Sequence, residues 1–184
     1  MLGQKAQIFV PFVFYSAQIA RVNRKSKPME QLPQATIFKQ NIYRYYQQLL
    51  QDRIDVFRDR IAALAADARN DAKGSAGDKH ETALSMMHLE QEKLNVKLAE
   101  IYAQKEVLDR IDPLSSGPRI AIGSLVKANG MWLFVATALP KISVDGKSVL
   151  ALSPQSPLGQ KLMGADVGFS FEILHTPYTV EAIY

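Results

Sequence analysis

From Phe38 to Lys73 the apolar positions recur at helical spacing. Tyr46, Leu50, Ile54, Phe57, Ile61, Leu64 and Ala68 follow one another at steps of three or four, the period of an apolar seam along one long helix. Between them Arg53, Asp55, Arg58, Asp59, Arg60 and Asp67 form a solvated face, and neither glycine nor proline interrupts the run. Gly74-Ser75-Ala76-Gly77 then breaks it. A second seam follows in Leu84, Met87, Leu94, Leu98, Ile101 and Leu108, with Gln91 and Lys105 as polar interruptions, and it ends at Pro113 and Ser115-Ser116-Gly117-Pro118. Two helices of similar length joined by a short glycine turn run antiparallel and bury their stripes against each other. Arms of roughly 35 residues make a rod about 50 Å long. Such a rod buries little surface for its length and suits reaching better than enclosing an active site.

From Arg119 the period becomes strand-like. Ile120 to Val126 and Met131 to Ala136 flank Asn129-Gly130, a strong hairpin turn. Lys141 to Val144 and Lys147 to Leu152 flank Asp145-Gly146 in the same way. Ser156 to Gly164 reads as a short helix, and Phe169 to Leu174 and Tyr178 to Ile183 as the last strands. The expected fold is a two-helix antiparallel coiled coil followed by a small α+β domain with an antiparallel sheet, with Trp132 in its core. The expected boundaries are 1–37 for an extension, 38–113 for the coiled coil and 119–184 for the sheet domain.

Composition removes several classes of function. The 184 residues, 47% apolar, suit one or two small domains, and no apolar run approaches a membrane span. The chain has no cysteine, so disulfides and thiolate chemistry are excluded, and its three histidines are too scattered for a histidine metal site. The net charge of +4 is localised: Lys5, Arg21, Arg24, Lys25 and Lys27 face only Glu30 within residues 1–37, and the rest balances. Net charge therefore argues for no general affinity of residues 38–184 for nucleic acid. In the extension, an apolar stretch from Ile8 to Tyr15 contains Pro11 and precedes its strong positive charge, the reverse of a signal peptide. A weakly ordered extension is the expectation, with a signal or anchor segment or a start at Met29 as alternatives.

Two short motifs carry candidate chemistry. Gly77-Asp78-Lys79-His80-Glu81 falls where the second helix begins. Read alone, an acid followed three residues later by glutamate resembles a capping box, and both charges favour a helix N-terminus. The same spacing puts two carboxylates at one end of the rod. His80 reads as a solvated turn residue, and Met86 and Met87 as helix packing. Ser156-Pro157 reads alone as a helix start, serine capping and proline at the first position.

Taken together, the order of domains and these motifs resemble the Gre-type bacterial transcript-cleavage factors. The resemblance runs from about Phe38 to Tyr184. It rests on G-D-x-x-E at Gly77 to Glu81 and on Ser156-Pro157-Leu158-Gly159-Gln160-Lys161-Leu162-Met163-Gly164, continuing to Val167-Gly168. It implies an FKBP-like C-terminal domain that docks on RNA polymerase through Gln155, Ser156 and Pro157. It also implies a finger inserted in the polymerase secondary channel, and Asp78 and Glu81 assisting cleavage of backtracked transcript RNA. The factor would be no enzyme alone. It would hold no cofactor of its own and would share the polymerase's magnesium; it would be cytoplasmic, with no membrane and no small-molecule substrate. Thr82-Ala83-Leu84-Ser85 departs from the family's tip, which continues Asn-Ala-Glu-Tyr, and Gln155 replaces a residue that is often acidic. Those departures keep a second reading open, a homologue that regulates or inhibits polymerase through the same channel. A third reading, of another class, is an FKBP-like folding helper using an aromatic-lined pocket among Trp132, Phe134, Phe169, Phe171 and Tyr178.

Overall fold

A computed structural model describes residues 34–71 and 78–184, apart from 174; the side chains of 71 and 78–80 are also outside the description. The expectations for the extension up to residue 33, for the Gly74–Gly77 turn and for the side chains of Asp78 and His80 therefore fall outside the described residues. Helix α1 spans Gln34–Asp71 and α2 spans Asp78–Asp109. At 1.5 Å per residue the 38 residues of α1 measure about 57 Å. The two helices pack on each other as the seams predict, and Arg60 reaches Glu90 at 3.3 Å across them. Both side chains are largely exposed, so this ion pair contributes little. No helix among the described residues is long and apolar enough to cross a membrane.

Burial along α1 is uneven, and this locates the base of the finger. Phe38, Ile42, Tyr46, Leu50 and Ile54 are buried in one cluster with Ile101 and Leu108 of α2 and with Leu125, Phe134 and Val149 of the sheet. Toward the tip, Phe57, Ile61 and Leu64 are only half-buried, as are Leu84 and Met87 opposite. Two helices alone cover each other's stripes less completely than where the sheet adds a third wall, although Ala68 and Leu94 are buried on the arms as well. Met86 is exposed rather than packed, because it points away from the single partner helix.

Specific polar contacts join the finger to the sheet domain. Lys39 is buried, and its Nζ donates to Ser115 O at 2.6 Å and Tyr184 O at 3.2 Å. Burial holds its pKa below the usual lysine range, with Asp112 opposing that shift. Tyr46 stacks on Phe134 and donates its hydroxyl to Pro140 O at 3.0 Å. Burial pushes the Tyr46 pKa up to about 12. A tyrosine whose folded pKa is raised contributes stability that is complete below its unfolded value near 10 and is lost as pH rises through 12. Tyr43 is shifted the same way, again chiefly by burial. Tyr46→Phe should therefore flatten the loss of stability above pH ~10 without abolishing it, and should cost about 1 kcal/mol at neutral pH for the hydrogen bond. Denaturant midpoints from pH 7 to 11.5 measure both; an alkaline arm as steep as the parent's would refute the assignment to Tyr46.

The sheet contains β1 (Leu125–Ala128), β2 (Met131–Val135), β3 (Ile142–Val144), β4 (Lys147–Leu152), β5 (Ser170–Ile173) and β6 (Thr176–Ile183), in the order β3-β4-β2-β1-β6-β5. Both glycine turns form as expected: Asn129 and Gly130, and Asp145 and Gly146, have the positive φ angles of a type I′ hairpin turn. The β1–β2, β1–β6, β3–β4 and β5–β6 pairs are antiparallel, but β2–β4 is parallel, so the sheet is mixed. The chain leaves β2, passes out to the edge as β3 and returns as β4 between them; such a crossover makes β4 parallel to β2. The first strand is also shorter than the alternation suggested. Ile120 instead exchanges hydrogen bonds with Gly164 and Ala165, and a turn closed by Ser124 onto Ala121 follows. Gly123, at φ +91°, packs so closely on Ile111 that a Cβ would lie 2.9 Å from its Cγ2.

Candidate functional site at the finger tip and the Ser156 helix

Asp78 is the first helical residue of α2, and Glu81 lies exposed in the same first turn. An exposed carboxylate there gains from the positive end of the helix dipole and keeps its oxygens free for an external partner. Among the described residues no three His, Asp or Glu side chains gather in one place. The G-D-x-x-E spacing offers a pair of carboxylates, Asp78 and Glu81. Such a pair fits magnesium, which takes one or two carboxylates and fills its remaining positions with water and phosphate oxygens.

The second motif builds a small platform on the other domain. Helix α3 spans Pro157–Leu162, with Ser156 as its cap. The Ser156 hydroxyl accepts from Gly159 N at 3.1 Å and donates to Ser153 O at 2.7 Å, so both its roles are used within the turn. Leu162 is fully buried against Ile120, Val126, Leu133 and Val180, which fixes the helix to the sheet. Gln155 and Pro157 are exposed. The main-chain oxygen of Gln155 accepts from Gln160 Nε2 at 3.0 Å, and its side chain is hydrogen-bonded to the Ser153 hydroxyl. The serine thus shapes the platform, while Gln155 and Pro157 face outward. Gly159 lets the helix approach the preceding turn: a Cβ there would lie 2.1 Å from Ser153 O. The tip motif begins α2, whereas the platform is built on α3 against the sheet.

The five aromatics considered for an isomerase pocket divide into separate groups. Phe134 is consumed in the core beneath Tyr46. Phe169, Phe171 and Tyr178 stack in a row on β5 and β6 and just before them. Trp132 is half-buried rather than core, edge-on to Phe38 and tilted against Tyr184. Lys39, Phe38 and Ile42, which seat the finger, precede or interrupt the heptad seam. Phe38 and Ile42 do continue its four-residue step backwards from Tyr46, and that was the available signal.

No family model matches the sequence, and no curated protein does. Among solved structures, the crystal structure of GreA factor homolog 1 (Gfh1) of Thermus thermophilus is similar at 18% identity, with a TM-score of 0.29, over 75% of this chain and 94% of that one. The chain's own geometry defines its class: a two-helix antiparallel finger seated on a small mixed-sheet α+β domain.

Proposed function

We propose that this chain is a Gre-type transcription elongation factor that binds RNA polymerase and acts through its finger. One observation carries the reading. The G-D-x-x-E acids begin the second arm at the free end of the finger, while the Ser156-Pro157 platform sits on the sheet domain at its base. Docking and chemistry are then separated by the length of a rigid rod. The platform holds the factor on the rim of the secondary channel, through Gln155 and Pro157. The tip reaches the polymerase centre, where Asp78 and Glu81 would hold a magnesium ion shared with the polymerase. That ion, when bound, supplies an activated water and stabilises the leaving oxygen of the backtracked transcript. The residues of this chain supply charge and position; the polymerase supplies the remaining ligands.

A second reading is favoured by the tip sequence. Where the resemblance calls for an acid and a tyrosine after Glu81, the chain has Leu84, half-buried in the seam, and Ser85. A tip that docks without those side chains would occlude the channel and restrain elongation. The two readings separate in one experiment. The factor is added to a stalled, backtracked bacterial polymerase complex carrying end-labelled RNA. Shortening of the RNA beyond the polymerase's own rate supports cleavage assistance. Slowed elongation without shortening supports the regulatory homologue. No binding at micromolar concentration would overturn both, and Pro157→Ala should weaken whatever binding is seen.

A further inference from the structure

We propose that the free edge of β5 joins two copies of this chain. In this pairing β5 lies antiparallel to β5 of a second copy, about a two-fold axis at Phe171, and the two sheets become one. β5 ends the strand order, with β6 on one side and no strand on the other among the described residues. The bonds around β6 tell which main-chain groups point to that free side. Val180 N donates to Phe169 O at 2.9 Å, toward the β5 side. Thr179 N and Pro177 O turn the other way, to the Asn129 side chain at the end of β1, the first at 2.9 Å. In an antiparallel ladder, bonded and non-bonded pairs alternate. Phe171, paired with Tyr178, therefore uses its N–H and C=O on β6. Ser170 and Glu172, opposite Thr179 and Pro177, turn theirs to the open edge, and both residues are exposed.

Main-chain bonds and side chains select the same register. When Ser170 of each copy faces Glu172 of the other, the outward groups meet in two bonded pairs. That register sets Phe171 against Phe171 of the second copy at the closer, non-bonded spacing, and Phe169 against Ile173. Phe169 and Phe171 stack at 5.7 Å and Phe171 and Tyr178 at 5.4 Å, on the face that carries α3. The joined strands continue this aromatic row across the axis. Phe169 is 42% exposed and Val167 58%, so apolar surface lies open at the margin of the joint. On the opposite face each Ser170 hydroxyl meets a Glu172 carboxylate, and no like charges oppose each other within the joined strands. Sliding one bonded step either way centres the axis on Ser170 or Glu172 and leaves one bonded pair within the strand. In the second case two glutamates also collide. Glu172 touches His175 of its own turn at 3.3 Å, but both are exposed and the contact yields easily. An unprotected edge that matches itself in bonds, rings and charge commits to a second copy rather than a foreign strand. Because β5 has only four residues, the association is weak, with a dissociation constant on the order of 10–100 µM.

Sedimentation velocity of the full chain over a concentration series, with residue-resolved amide exchange, tests this. A monomer–dimer equilibrium is expected. Protection of the Ser170 and Glu172 amides should rise with concentration, while that of Phe171 stays high throughout. Ser170→Lys sets a lysine against Glu172 at two places and should tighten the dimer about fivefold. Ser170→Glu sets like charges there and should weaken it about fivefold or more. Adding Glu172→Lys to Ser170→Glu restores opposite charges and should recover at least the parent's affinity. Melting of the diluted proteins should not change, because both side chains are exposed. A chain still monomeric at about 1 mM would overturn the proposal. So would a dimer indifferent to all three variants, one weakened by Ser170→Lys, or one that leaves the Ser170 and Glu172 amides unprotected. A monomer that instead binds an acetylated Lys-Val-Lys-Val amide through those two amides would also overturn it, in favour of a foreign strand.

Discussion

Asp78→Asn should leave folding and polymerase binding unchanged and slow assisted RNA cleavage on the order of a hundredfold or more, the scale of a lost metal contact worth several kcal/mol. The substitution is nearly isosteric. At the start of a helix asparagine offers the same side-chain oxygen to a free backbone N–H and caps about as well as aspartate. The charge lost at the helix end is worth only about 0.3–1 kcal/mol. A role in helix capping alone therefore predicts a small shift in melting and no change in cleavage. A role in holding magnesium predicts the reverse, because a hard cation loses a full negative charge from its site. The test compares RNA shortening in a stalled complex across a magnesium titration with thermal melts of parent and variant. Cleavage lost at low magnesium and partly restored at high magnesium, on superimposable melts, is the expected result. Equal cleavage by the two proteins would sink the metal role. An inactive parent would shift the assignment to the regulatory homologue.

The parts of this molecule that were legible in its sequence are those governed by local rules. The two seams give the finger because a heptad stripe has one geometric solution for a two-helix hairpin. Asn129-Gly130 and Asp145-Gly146 give their turns because few residues accept two successive positive φ values. Ser156-Pro157 gives the short helix and its cap for similar reasons. What was not legible depends on neighbours distant along the chain. Alternation of apolar and polar residues states which face of a strand is buried but not which strand lies alongside, so the parallel β2–β4 pair could not be read. Burial of Lys39 runs against its side-chain chemistry and becomes intelligible only once Ser115 O and Tyr184 O are placed over it.

Gly159→Ala should destabilise the sheet domain by about 2–4 kcal/mol, the sum of an overpacking strain of about 1–3 kcal/mol and the loosening of a capping hydrogen bond worth about 1 kcal/mol. The resemblance tolerates alanine at this step of the motif, but the local packing of this chain does not. A Cβ on Gly159 would lie 2.1 Å from Ser153 O, 2.9 Å from Pro154 Cα and 3.0 Å from Pro154 C. All three atoms are backbone, so no side chain can rotate away to make room. Ser153 O is also the acceptor for both Ser156 N, at 3.0 Å, and Ser156 Oγ, at 2.7 Å. Relief requires the Ser153–Pro157 turn to move outward, and that turn carries Gln155 and Pro157. Fully buried Leu162 resists the alternative, a shift of α3 off the sheet. For a fold of this size the loss corresponds to a melting temperature lowered by roughly 5–15 °C. Pro157→Ala provides the contrast: its ring is exposed, so that variant should weaken polymerase binding with little change in melting. Gly159→Ala should weaken both. A Gly159→Ala protein that melts within a degree of the parent would show that the turn yields freely, and the close approach of α3 to Ser153 would then carry no structural weight.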